Sequence, residues 1–96
     1  MKIEDIFKND IYVIKPKNKD IFFGSKKGTI YKREDTYLQL FKEKGQGYIN
    51  FYFHYDKSDK SFLIISAMLE RCLGIYEDDK DMKLSLIPLS PNANCK

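Results

Sequence analysis

His54 is the only histidine in the 96-residue chain, with Tyr52 and Asp56 two residues to either side. On an extended strand these three side chains share a face, because alternate residues point the same way. A His–Tyr–Asp set is suited to general acid–base chemistry of the kind small ribonuclease toxins perform. That chemistry also needs a cation to stabilise charge developing on phosphorus, for which Arg33 and Lys42 are the candidates. Nothing in the spacing brings either of them to His54, so a nuclease ranks third among the functional readings. Metal chemistry has less support. With one histidine, two cysteines and no Cys-x-x-Cys pair, the usual four zinc ligands are missing. The acidic run Glu77, Asp78, Asp79 and Asp81 does not follow the calcium-loop pattern. The expected metal and cofactor complement is none, and the expected protein is not an enzyme.

Charge is the next source of chemistry. The chain carries 17 basic and 14 acidic side chains, a formal net charge of +3. Lys15, Lys17, Lys19, Lys26, Lys27, Lys32 and Arg33 are opposed between residues 15 and 33 only by Asp20, whereas residues 77–81 hold four acids and Lys80. The basic stretch would suit phosphate or an acidic protein surface, and the acidic loop would suit a basic site on a partner. The plainer alternative is a pair of solvated turns, since lysine commonly protects edge strands. Arginine is the preferred side chain for bidentate base recognition, and only Arg33 and Arg71 are present, which weighs against sequence-specific nucleic-acid binding.

Lys44-Gly45-Gln46-Gly47-Tyr48-Ile49-Asn50-Phe51 resembles the RNP1 element of the RNA-recognition motif, K/R-G-F/Y-G/A-F-V-x-F/Y. Gln46 stands where that family carries a base-stacking aromatic. Residues 11–14 fall where its companion strand would lie, and residues 17–33, which hold Gly24 and Gly28, fall where its first helix would lie. The resemblance covers about a third of the chain. It implies a single-stranded RNA or DNA binder in which Tyr48 and Tyr52 stack on bases and lysines meet phosphates.

These side chains must be positioned by one domain, spanning residues 1–96. A composition of 43% hydrophobic and 15% aromatic residues is too apolar for disorder. Ile3, Ile6 and Phe7 predict a short N-terminal helix. Strands are expected at 11–15, 21–23, 29–32, 36–42, 48–55 and 83–89, with 90–96 as a frayed tail. Residues 36–42 and 48–55 should pair as a hairpin across the Gly45–Gly47 loop. Residues 62–73 predict the main helix, with Phe62, Ile65, Leu69, Cys72 and Leu73 as its apolar stripe, Ser58, Asp59 or Ser61 as its cap and Gly74 as its stop. A buried strand over 62–67 is the alternative, because short apolar runs are ambiguous. The expected class is α+β, a single antiparallel sheet of about five to six strands, mostly meander, with the main helix on one face.

On that architecture Tyr37, Phe41, Tyr48 and Tyr52 stand on the sheet face away from the helix. Tyrosine-rich open faces are typical of interfaces. The alternatives are that another segment covers them or that the sheet closes into a small barrel. The leading expectation is therefore a small non-enzymatic protein-binding module. It would inhibit a partner by surface occlusion, as immunity proteins, antitoxins and phage-encoded anti-defence proteins do. The expected contact residues are Tyr37, Phe41, Tyr48 and Tyr52, with Lys26 and Lys27 or Glu77, Asp78, Asp79 and Asp81 steering encounter. The expected partner is a toxin, nuclease or host factor, nucleic acid being second choice, and a homodimer through the aromatic face is open. No secretory signal or membrane-spanning run is evident, so a cytoplasmic protein is expected. Cys72 reads as a small buried hydrophobe, and a Cys72–Cys95 disulfide stays open.

Overall fold

Seven strands run through residues 10–89, the part of the chain that the computed structural model describes. They are β1 (Phe22–Lys26), β2 (Gln39–Phe41), β3 (Gly47–Tyr48), β4 (Phe51–Asp56), β5 (Ser61–Ser66), β6 (Arg71–Gly74) and β7 (Ser85–Pro88). They form two antiparallel sheets, one ordered β2-β1-β3 and the other β4-β5-β6-β7. The N-terminal helix around Ile3, Ile6 and Phe7, the tail 90–96 and Cys95 lie outside the described residues.

The α+β class is overturned. Apart from two 3-10 turns, Arg33–Thr36 and Lys44–Gln46, the described residues contain no helix. The segment 62–73, expected as the main helix, divides into β5, a turn and β6. Phe62, Ile64 and Ile65 are the reason, since aromatic and β-branched side chains lose rotamer freedom in a helix and pack well on a pleated surface. β4 offers them a ready partner, and six consecutive pairs run from Phe51 opposite Ser66 to Asp56 opposite Ser61. The polar stretch expected to cap a helix makes the hairpin turn instead. Asp56 Oδ1 accepts from the Ser58 amide at 3.0 Å and the Ser58 hydroxyl at 2.7 Å, and Lys60 adopts a left-handed φ of 55°. Capping and turn formation draw on the same local side-chain hydrogen bonds, so sequence alone does not separate them. Gly74, expected as a helix stop, is an extended residue paired with Ser85.

The single sheet and the expected 36–42/48–55 hairpin are also corrected. β2 pairs with β1, placing Phe41 opposite Phe22 and Leu40 opposite Phe23. The 48–55 segment is divided between sheets, with Tyr48 in β3 against Ser25 and residues from Phe51 onward in β4. Close approach explains the use of β1. A Cβ on Gly24 would meet the Tyr48 backbone oxygen and lie 2.9 Å from Ile49 Cγ2, so only glycine lets β3 draw this near.

Backbone contacts join the two sheets along both flanks. On one side Tyr12 and Phe51 exchange hydrogen bonds of 2.7 and 2.8 Å, and the Phe23 amide donates to Ile14 O at 2.9 Å. On the other side Tyr37 bridges Ser85, and the Leu38 amide donates to Leu84 O at 3.0 Å. Pairing therefore follows a closed circuit from β1 through β2, β7, β6, β5 and β4 to residues 12–14 and back to β1. Ile14, Phe23, Leu38, Phe51, Ile64, Leu73 and Leu84 line one shared, open apolar pocket, and of these only Phe51 is wholly buried. Across the second sheet a separate cluster of Ile65, Cys72 and Ile87 is buried, with Tyr52, Leu63 and Tyr76 packed against it. Cys72 is disulfide-bonded. No helix among the described residues is long and apolar enough to cross a membrane.

Candidate partner-binding loops

The basic loop after β1 is held by its backbone and open in its side chains. Gly28 has a left-handed φ of 118°, which glycine adopts without strain, and its amide donates to the Tyr48 hydroxyl at 3.4 Å. The Lys27 amide reaches Gln46 O at 3.4 Å. At the far end Asp35 Oδ2 accepts from the Tyr31 amide at 3.0 Å and the Lys32 amide at 3.2 Å, the reach-back of a capping box. These bonds, the one from Tyr31 first, hold the Asp35 carboxyl below its usual pKa, with Lys26 and Lys32 adding to the effect. The Tyr31 ring itself is 86% exposed, between the exposed Lys27 and Lys32.

The next residues tie this loop to the acidic one. Arg33 Nη2 lies 2.9 Å from Asp78 Oδ1, and the guanidinium sits 4.2 Å from the centre of the Tyr76 ring. The hydrogen bond from Arg33 lowers the Asp78 pKa, and the same bond raises that of Arg33. Thr36, almost wholly buried, donates to Arg33 O at 2.7 Å, and its hydroxyl lies 3.3 Å from the Tyr76 hydroxyl. Arg71 Nη1 donates to the same Tyr76 hydroxyl at 3.3 Å and to Leu86 O at 2.9 Å. Both arginines of the chain thus meet at Tyr76. Asp79 is a turn former, accepting from the Asp81 amide at 3.0 Å and the Lys83 amide at 3.1 Å while Met82 takes a φ of 54°. Glu77 and Asp81 are exposed on the same loop.

The residues singled out by sequence are spread over both loops and both sheets. Lys26 ends β1 opposite Gly47, and Lys27 follows it in the basic loop. Tyr37 lies beside the acidic loop, with the Lys83 ammonium 5.1 Å from its ring centre. Desolvation raises its pKa, and Asp79 is the largest of the charges acting the same way. Tyr37 also lines a cleft of about 410 Å³ with Glu34, Gln39 and Lys83. Arg33, through its pair with Asp78, links the segment that follows the basic loop to the acidic loop of Glu77, Asp78, Asp79 and Asp81. Tyr48 and Phe41 lie against the base of the basic loop, and Tyr52 is on the second sheet. The Phe41 ring packs where a Gly47 side chain would be, the Tyr48 hydroxyl serves Gly28, and Tyr52 rests on the Ile65–Cys72–Ile87 cluster.

His54 is exposed on β4 opposite Leu63. Arg33, one of its proposed cationic partners, is bound to Asp78 and Tyr76 at the acidic loop. Lys15, paired with Asp20 at 3.3 Å, and Lys44 approach the ring of the buried Phe22 at 5.6 and 5.8 Å. Among the described residues no group of three or more His, Cys, Asp or Glu side chains is placed to hold a metal ion. Tyr31 was absent from the sequence-derived contact set. Its signal is a lone aromatic among Lys26, Lys27 and Lys32, followed four residues on by the Asp35 cap. Comparison with protein-family models, curated proteins and solved structures gave no match.

Proposed function

We propose that this chain is a small non-enzymatic protein-binding module that inhibits a partner by covering its surface, as immunity proteins do. The observation that carries the reading is Tyr31, an exposed ring on a loop whose backbone is tied down at both ends. An aromatic anchor with little backbone freedom to lose is the kind of residue that dominates binding energy. Lys26, Lys27 and Lys32 around it favour a partner with an acidic surface and would speed encounter. Tyr37 and its cleft extend the contact area toward the acidic loop. The cytoplasmic location expected from sequence is not part of this proposal, because Cys72 is disulfide-bonded and such bonds persist mainly in oxidising surroundings.

The test is affinity capture followed by titration of the captured protein. Tyr31→Ala is expected to weaken binding at least tenfold, and Lys27→Ala to slow association at low salt. Unchanged binding by Tyr31→Ala removes this reading. The runner-up is single-stranded nucleic-acid binding, for which the exposed Lys26, Lys27 and Lys32 beside Tyr31 would meet phosphates. A labelled oligonucleotide at about 50 mM salt decides it, since the electrostatic contribution is largest at low salt.

A further inference from the structure

The link between β2 and β7 is short. Tyr37 bridges Ser85, the Leu38 amide donates to Leu84 O at 3.0 Å, and there the two segments part. Met82 takes a φ of 54° and the Lys83 amide is bound to Asp79 Oδ2 at 3.1 Å, which turns the chain away from β2. The open cleft of about 410 Å³ lined by Glu34, Tyr37, Leu38, Gln39, Lys83 and Leu84 lies at this fork. Beyond it β2 is the end strand of its sheet, and Leu40 is 49% exposed. The ladder sets the direction of the Leu40 backbone. Antiparallel pairs alternate between hydrogen-bonded and non-hydrogen-bonded. The Phe23 amide donates to Ile14 O at 2.9 Å, so Phe23 and Leu40 form a non-hydrogen-bonded pair. The Leu40 N–H and C=O therefore point away from β1, to the side on which the Leu38 amide reaches Leu84. Among the described residues no segment on that side gives Leu40 a backbone hydrogen bond.

We propose that the outer edge of β2 binds an extended segment of a partner protein as an added strand. The edge presents an N–H and a C=O at strand spacing, and an extended polypeptide is the ligand whose groups match them. Leu40 donates to and accepts from one residue of the segment. The end of the segment nearest the fork places an apolar side chain in the cleft, against Tyr37, Leu38 and Leu84. Glu34 and Lys83 line the cleft with opposite charges, so selection rests on backbone pairing and apolar fit rather than on net charge. This takes the protein-binding reading as given and adds how a partner's chain is held. A free peptide carries none of the surface that Tyr31 would meet, so its failure to bind leaves the Tyr31 reading standing.

The experiment is an amide-resolved NMR titration of the whole chain with a blocked peptide of alternating valine and threonine. Saturable shifts are expected at Leu38, Gln39, Leu40 and Leu84. At saturation the Leu40 amide is expected to slow its exchange at least tenfold, while Gln39 and Phe41, which face β1, change little. Methylating every valine nitrogen, or every threonine nitrogen, removes the donors along one edge of the peptide. Only one of the two methylated forms is expected to keep binding. Leu40→Pro removes the outward N–H at a place where an edge strand tolerates proline, and is expected to weaken binding at least tenfold. Absence of saturable shifts overturns the proposal. So does equal affinity of the two methylated forms, or protection of Leu40 on concentrating the chain without peptide, which makes a second copy the occupant.

Discussion

Asp35 and Tyr76 carry more than their own contacts. Asp35 fixes the loop that presents Tyr31, through two backbone amides. Its carboxyl and that of Asp78 both have lowered pKa values in the folded chain. A group of this kind adds stability above its unfolded pKa and loses it as pH falls through the folded one. The urea midpoint should therefore decline below about pH 4, where unfolded carboxylates protonate. Asp35→Ala should lower the midpoint at pH 6 and show a smaller further decline by pH 3. An equal decline in the variant and the parent would deny Asp35 this role. At Tyr76, removing only the hydroxyl separates the polar link from the ring. Thr36 and Arg71 each keep another partner, so Tyr76→Phe should cost about 0.5–1.5 kcal/mol in chemical denaturation. Tyr76→Ala should cost more, because the ring under Arg33 and against the Ile65 cluster goes as well. The sequence showed the charges at both loops but not the Arg33–Asp78 contact, which spans 45 residues and depends on strand pairing.

The β4–β5 hairpin governs the second sheet, and its turn is testable as a unit. Lys60 occupies a left-handed conformation that costs a lysine of order 1 kcal/mol and that asparagine tolerates better. Lys60→Asn should raise the urea midpoint, by up to about 1 kcal/mol of stability. Asp56→Ala removes two turn hydrogen bonds and should lower stability by about 1 kcal/mol. If Lys60→Asn destabilises instead, the turn does not have this shape. The same hairpin shows what was readable beforehand. Alternation at 48–55 indicated a strand, and β4 occupies 51–56. The run 62–65 has no alternation to read, because both faces of β5 are at least half-covered. Its length and the glycine at 74 resembled a helix with a stop, and only the partner strand resolves the ambiguity. Gly24, just past the strand expected at 21–23, lies inside β1, and its missing side chain is what admits β3. Tyr31 and the cleft by Tyr37 were out of reach of pattern reading, since exposure and cleft shape arise only once strands are placed.

At the scale of the molecule, the two sheets behave as one body only if both flanks stay closed. One flank rests on Tyr12, Ile14, Phe23 and Phe51, the other on Leu38 and Leu84. Each flank supplies few bonds, whereas β4 and β5 share six pairs. Side chains of both sheets meet between the flanks, so opening a flank exposes the wholly buried Phe51 to water along with the broken bonds. Closure should then be cooperative. Amide exchange provides the measurement, because local opening and global unfolding differ in the protection they leave. The Leu38 and Phe51 amides, which span the two flanks, should exchange nearly as slowly as those inside the β4–β5 hairpin. Tyr12→Pro deletes the donor to Phe51 O and should speed exchange at Phe51 and Phe23 at least tenfold while the hairpin keeps its protection. Fast exchange at Leu38 and Phe51 in the unaltered chain would mean two sheets that part freely, and the closed circuit of pairing would not persist in solution.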